Sequence, residues 1–225
     1  PRDVGSGPDG VSLLSDVHIP QQIKVANPGD TSLSSDCTFR EALSKSAFWI
    51  ITYASVAAIL SIMMVTTHMM PYLEHIGYSR HTASLVTMTL PVISIVGRLG
   101  SGWISDKIGH RRVLILALLG LLASVSLFLY SNLFFLLILS AISFGVSWGG
   151  IAVVRPIALR NCFGTTHIGS IFGLCLGLTM IGSIAGPLLA GWIFDTNGSY
   201  SLAWVIAAIF LIVSIPPVAM MKQTK

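Results

Sequence analysis

The chain has 225 residues, of which 53% are hydrophobic and only 10% charged, with a mean hydropathy of +0.81. A soluble domain carries about a quarter charged residues, so this balance excludes an ordinary water-soluble fold and points to a membrane. The net charge of +4 comes without a basic tract or a basic amphipathic face, which argues against nucleic acid as a partner, and the scattered Cys37, Cys162 and Cys175 suggest neither a disulfide framework nor a metal site.

Residues 1–45 contain runs such as GSGPDG and ANPGD and read as a polar linker with no core of its own. With no initiator methionine or signal sequence at its start, the linker is expected to continue from an upstream part of a longer protein. Thr38-Phe39-Arg40-Glu41 fits a capping box, so a helix is expected to begin there and run into the membrane. Apolar stretches follow at 46–67, 82–103, 113–130, 133–158, 170–193 and 202–221. Each is about 20 residues long, enough to cross roughly 30 Å of hydrocarbon. A closed barrel would need strands of about ten residues with in–out alternation, so the pattern predicts a six-helix membrane bundle over 46–221 and a short tail at 222–225.

Orientation follows from the basic residues. If the leading linker is cytoplasmic, that side also holds Arg40, Lys45, Lys107, Arg111, Arg112, Arg160, Lys222 and Lys225, while the outer side holds only Arg80. The positive-inside rule therefore predicts cytoplasmic termini.

The stretch GRLGSGWISDKIGHRR joins the second and third predicted helices. Gly102 and Gly109 leave room for close helix approach and a tight turn, and Asp106 lies just ahead of the next helix, where a carboxylate meets unpaired N–H groups. Lys107, Arg111 and Arg112 set topology. Arg111 and Arg112 are also expected to pair with Asp106 as a charge latch or to lie among anionic headgroups. Arg98 precedes Asp106 by eight residues, so on a straight helix it sits roughly 12 Å deeper. A charged group at that depth needs a partner or a watery cavity, and a guanidinium offers a planar fork that suits a carboxylate. His68 and Tyr53 on the first helix, and Trp148 beside Gly145, Gly149 and Gly150, are further candidates for lining a cleft. Imidazole is the side chain whose charge changes near neutral pH, which makes His68 the candidate proton carrier. Arg155, five residues before Arg160, is expected to reach the interface. Gly173 and Gly177, like Gly182 and Gly186, recur every fourth residue as helix-packing faces, and Pro187 is expected to bend its helix.

The run from Gly102 to Arg112 resembles the G-x-x-x-D-(R/K)-x-G-x-(R/K)-(R/K) signature of the major facilitator superfamily. The resemblance covers about 38–221 and implies the second six-helix half of a twelve-helix carrier, with the other half missing from this chain. THMMPYLEHIGYS together with GRLGSGWISDKIG is most similar to the monocarboxylate and oxalate/formate exchanger branches. That likeness implies alternating-access transport of a small organic anion, by proton symport or anion exchange, in a plasma or cell inner membrane. In the monocarboxylate carriers an arginine in the place of Arg98 contributes to anion binding and proton coupling. The branch often has an acid one turn earlier, where this chain has Ser94, and residues 170–193 lack the lysine that marks some oxalate exchangers. No cofactor is implied, and no G-x-x-x-x-G-K-(S/T) stretch for ATP is present. Two other classes compete: a non-transporting sensor on the same fold, and a six-helix intramembrane serine enzyme. Against the enzyme, Leu99 stands where a Gly-x-Ser-Gly motif at Ser101 needs glycine, and His110 and His167 fall in turns.

Overall fold

The computed structural model describes residues 37–130 and 133–221. They form seven helices: α1 (Phe39–Ser44), α2 (Ser46–His75), α3 (Arg80–Ile108), α4 (His110–Phe128), α5 (Phe134–Phe163), α6 (Ile168–Asn197) and α7 (Ser201–Met220). The last six are long and apolar enough to cross a membrane, as the hydropathy pattern required. Several run past their apolar cores. The chain between His68 and His75 stays helical although it is too polar for hydrocarbon, because a helix continues to satisfy its own backbone at the interface.

The capping box forms as its sequence predicts: Glu41 N donates to Thr38 Oγ1 (3.3 Å), and Thr38 N donates to Glu41 Oε2 (3.0 Å). The helix it starts does not run into the membrane, however. It ends at Ser44, and Lys45 adopts an extended conformation (φ −85°, ψ 130°) before α2 begins. At this break the Lys45 ammonium donates to Cys37 Sγ (2.7 Å), while Cys37 N donates to the Phe163 carbonyl at the end of α5 (3.1 Å). Burial beside the pairing thiol is slight, and the hydrogen bond to Cys37 holds the Lys45 ammonium pKa above its ordinary value.

Hydroxyl groups within the spans return to their own helices. Ser55 donates to the Ile51 carbonyl (2.7 Å) and Ser61 to that of Ala57 (2.9 Å), which lets polar residues sit at full burial. Others cross between helices: Ser124 of α4 donates to the Ser140 carbonyl of α5 (2.9 Å), Ser143 of α5 to the Gly120 carbonyl of α4 (2.9 Å), and the Tyr72 hydroxyl of α2 to the Phe128 carbonyl of α4. The main core gathers Met64, Leu90, Leu118, Phe144 and Trp204. A second cluster of Phe48, Ile51, Ala158, Leu159, Phe163, Ile171 and Cys175 lies at the end where α1 docks.

The most extensive pairings are α3 with α5 and α2 with α6. Small residues explain both, since lipid offers no hydrophobic drive and close backbone approach supplies the attraction. A methyl group at Gly97 would collide with the Val146 carbonyl, and one at Gly149 with the Ser94 carbonyl; at Gly145 it would lie 2.7 Å from the Ile93 Cβ. On α6, a methyl at Gly182 would lie 2.7 Å from the Val56 carbonyl, and at Gly186 2.5 Å from that of Leu60. Gly173 and Gly177 differ. An added Cβ at either meets nothing within 4 Å, so among the described residues only the Gly182–Gly186 half of the expected packing face is used.

Candidate functional site

The α3–α4 turn is built as its glycine demands. Gly109 closes α3 with φ 89°, a conformation that L side chains rarely adopt. Asp106 is placed otherwise than expected. It lies in the last turn of α3, which runs to Ile108, while α4 has Gly109 at its N-cap and no side-chain cap. The Asp106 carboxylate is exposed, and the one salt bridge among the described residues joins Arg80 to Glu74 (3.8 Å). No latch from Asp106 to Arg111 or Arg112 therefore closes within this chain. A Cβ added at Gly102 would meet only Val153, at an ordinary 3.9 Å; the close approach expected there occurs instead at Gly97.

Arg111 and His110 of the turn fasten helix ends together. Arg111 Nε donates to the Val218 carbonyl near the end of α7 (3.2 Å). Asn161 of α5 lies 3.0 Å from His110 Nδ1; with the amide nitrogen donating, Nδ1 is the acceptor and the imidazole is neutral. Lys107 Nζ lies 3.5 Å from the centre of the Trp103 ring, one turn earlier on α3. Arg112 remains exposed.

Arg98 lies within the α3 span and is exposed, beside Val96 and Leu99, which are 65% and 74% exposed. Its backbone is pressed against α5: a Cβ on Gly149 would approach Arg98 N to 2.6 Å. The helix pairing thus fixes where the guanidinium stem starts, while the side chain projects from the six-helix unit. Trp148 is adjacent to that contact, half-buried against the core with its ring 6.2 Å from Phe144. Tyr53 is 36% exposed, early in α2.

His68 is elsewhere, in the last third of α2 and towards the α6–α7 turn. Its Nε2 lies 3.0 Å from the Pro187 carbonyl and its Nδ1 3.3 Å from the Tyr200 hydroxyl. A carbonyl only accepts, so Nε2 carries a proton, and in the neutral ring Nδ1 accepts from the Tyr200 O–H. The ring therefore joins α2, α6 and the start of α7. Tyr200 itself is 4% exposed and stacks on Phe194 at 4.4 Å. Burial, followed by the nearby Asp195 charge, raises the pKa of its phenol. Nothing in the DTNGSY turn signals this role for Tyr200, because its partners come from distant helices.

Arg155 is the main departure from expectation. It does not reach the interface: it is 9% exposed, with its guanidinium 5.7 Å from the Phe172 ring of α6. A groove of about 680 Å³ near the ends of α2, α5 and α7, lined by Lys45, Ile50, Cys162, Pro217 and Met220, contains none of the predicted binding residues.

Comparison with known proteins agrees with this architecture. The profile described as Major Facilitator Superfamily matches residues 51–223. Monocarboxylate transporter 12 of Rattus norvegicus is 32% identical over 153 residues, covering 65% of this chain and 31% of the relative. The protein of the same name from Xenopus laevis is 28% identical over 149 residues, covering 64% and 32%. Monocarboxylate transporter 13 of Rattus norvegicus is 26% identical over 147 residues, covering 64% and 34%. The chain spans about a third of the length of these relatives.

Proposed function

Because the chain belongs to the Major Facilitator Superfamily, we propose that it forms one six-helix half of a secondary transporter of the monocarboxylate branch, moving small organic anions, monocarboxylates foremost. Transport proceeds by alternating access, with the two halves rocking about a site near the bilayer midplane. The end that carries Lys45, the α3–α4 turn and Arg160 is the cytoplasmic one under the positive-inside rule.

The observation that carries this reading is Arg98. A guanidinium inside a membrane span, exposed on the six-helix unit and without a salt bridge among the described residues, calls for an anion. Its planar fork offers two parallel donors to a carboxylate. The glycine seam beneath it supports the same reading, because a binding group is useful only when its origin is fixed. Tyr53 and Trp148 are assigned to the cleft wall. The Asp106 turn is assigned to gating. His68 is already held at both ring nitrogens, so proton coupling through it requires that its bond to Tyr200 rearrange.

In the full-length protein, Arg98→Ala abolishes carboxylate uptake at unchanged membrane abundance. Uptake at the wild-type rate removes Arg98 from the site. Symport and exchange separate in the same assay: symport follows an inward proton gradient, and exchange follows carboxylate loaded on the opposite side.

A further inference from the structure

The least satisfied charge among the described residues is Arg155. It sits in the α5 span, 9% exposed, and its Nε and Nη1 are buried with no hydrogen-bond partner among the described residues. The Phe172 ring at 5.7 Å covers the guanidinium but satisfies none of its edge N–H groups. No carboxylate among the described residues pairs with it, the one salt bridge there being Arg80–Glu74. Taking a guanidinium out of water with its donors unmet is strongly unfavourable, and such a residue is stable only with a partner.

Its position relative to Arg98 follows from the helix seam. Arg98 N abuts Gly149 on α5, and Arg155 lies six residues further along the same helix. At 1.5 Å per residue the two arginines are offset by about 9 Å along α5, with Arg155 nearer the end that bears the Asp106 turn. The two side chains start at different levels of the bundle, and the Arg155 guanidinium is buried beside Phe172 while Arg98 is exposed, so the two are separate stations.

We propose that Arg155 is the seat of a second carboxylate, bound edge-on by Nε and Nη with the Phe172 ring beside it. Two sources share this chemistry. One is the carboxylate of the transported anion, which would pass Arg155 on its way between Arg98 and the cytoplasmic end; this source rests on the transport reading above. The other is an Asp or Glu side chain of the other six-helix half of the carrier.

The test uses the full-length protein in detergent. Thermal stability is followed against acetate and pyruvate, with chloride at equal ionic strength as control, for wild type, Arg155→Gln and Arg155→Lys. If the substrate is the occupant, the midpoint concentration for carboxylate stabilisation rises at least tenfold in Arg155→Gln and is partly restored by Lys, while ligand-free stability does not fall. If a side chain is the occupant, the midpoint is unchanged, the ligand-free melting temperature falls in Arg155→Gln, and Lys recovers it. An unchanged midpoint together with an unchanged or higher ligand-free melting temperature shows that no carboxylate is seated there and overturns the inference. A wild type that carboxylates do not stabilise removes the substrate source and counts against the transport reading; the ligand-free arm then decides Arg155 alone.

Discussion

Adding one methyl group at Gly149 tests whether the α3–α5 seam positions Arg98. The new Cβ would lie 2.6 Å from Arg98 N and 2.9 Å from the Gly97 carbonyl carbon, and would collide with the Ser94 carbonyl. Ordinary contact begins at 3.4 Å, so α3 must retreat by about 0.8 Å at Arg98 (3.4 − 2.6). All three obstacles are backbone atoms, so no side chain can simply rotate away. Overpacking of this kind costs about 1–3 kcal/mol. The same retreat displaces a guanidinium whose charged hydrogen bonds are useful only near about 2.7–2.9 Å, so carboxylate uptake shows a KM raised several-fold. Gly100→Ala is the control. Its Cβ meets nothing within 4 Å among the described residues, and exchanging Gly for Ala favours a helix by up to about 1 kcal/mol. The assay is unfolding of the full-length protein by SDS titration in mixed micelles, paired with uptake in vesicles. Gly149→Ala as stable as Gly100→Ala, with unchanged KM, would refute the idea that this seam positions the arginine.

Other consequences can be checked alongside. Tyr200→Phe removes the donor to His68 Nδ1 and lowers unfolding stability by about 1 kcal/mol, measured in the same SDS titration. Arg111→Ala loses the tie to Val218 and lowers stability measurably, whereas Arg112→Ala, at an exposed position, changes it by less than about 0.5 kcal/mol. A membrane-permeant maleimide labels Cys162, which lines the groove, well before Cys175, which is fully buried; equal rates would contradict the packing of α6 on α2 and α5.

The hydropathy of the spans and the turn residues made the fold legible from sequence, because both act locally: 20-residue apolar runs and a glycine such as Gly109 need no knowledge of neighbours. Arg98 was legible for the same reason, as a charge in an apolar run. What escaped the sequence depends on azimuth. Arg155 stands five residues from Arg160, close enough to suggest snorkelling, but which way it points is set by the pairing of α5 with α6. Asp106 was expected ahead of α4, yet α3 continues two residues past it, since nothing in Ser105 to Ile108 stops a helix before Gly109. The spacing of Gly173, Gly177, Gly182 and Gly186 shows that close packing is possible. It cannot say that Val56 and Leu60 meet only the latter pair.

The docking of α1 bears on how this protein can be divided. Ala42 and Cys37 are 0% and 3% exposed, and Cys37 is bonded both to the end of α5 and to Lys45. Residues 37–45 are therefore part of the folded body, although in sequence they read as the end of a tether. Complementary fragments expressed from separate genes should be cut upstream of Cys37. A cut at Ser46, where the first span begins, would strip the capping box and uncover Phe48 and Phe163, leaving an apolar scar that invites misassembly.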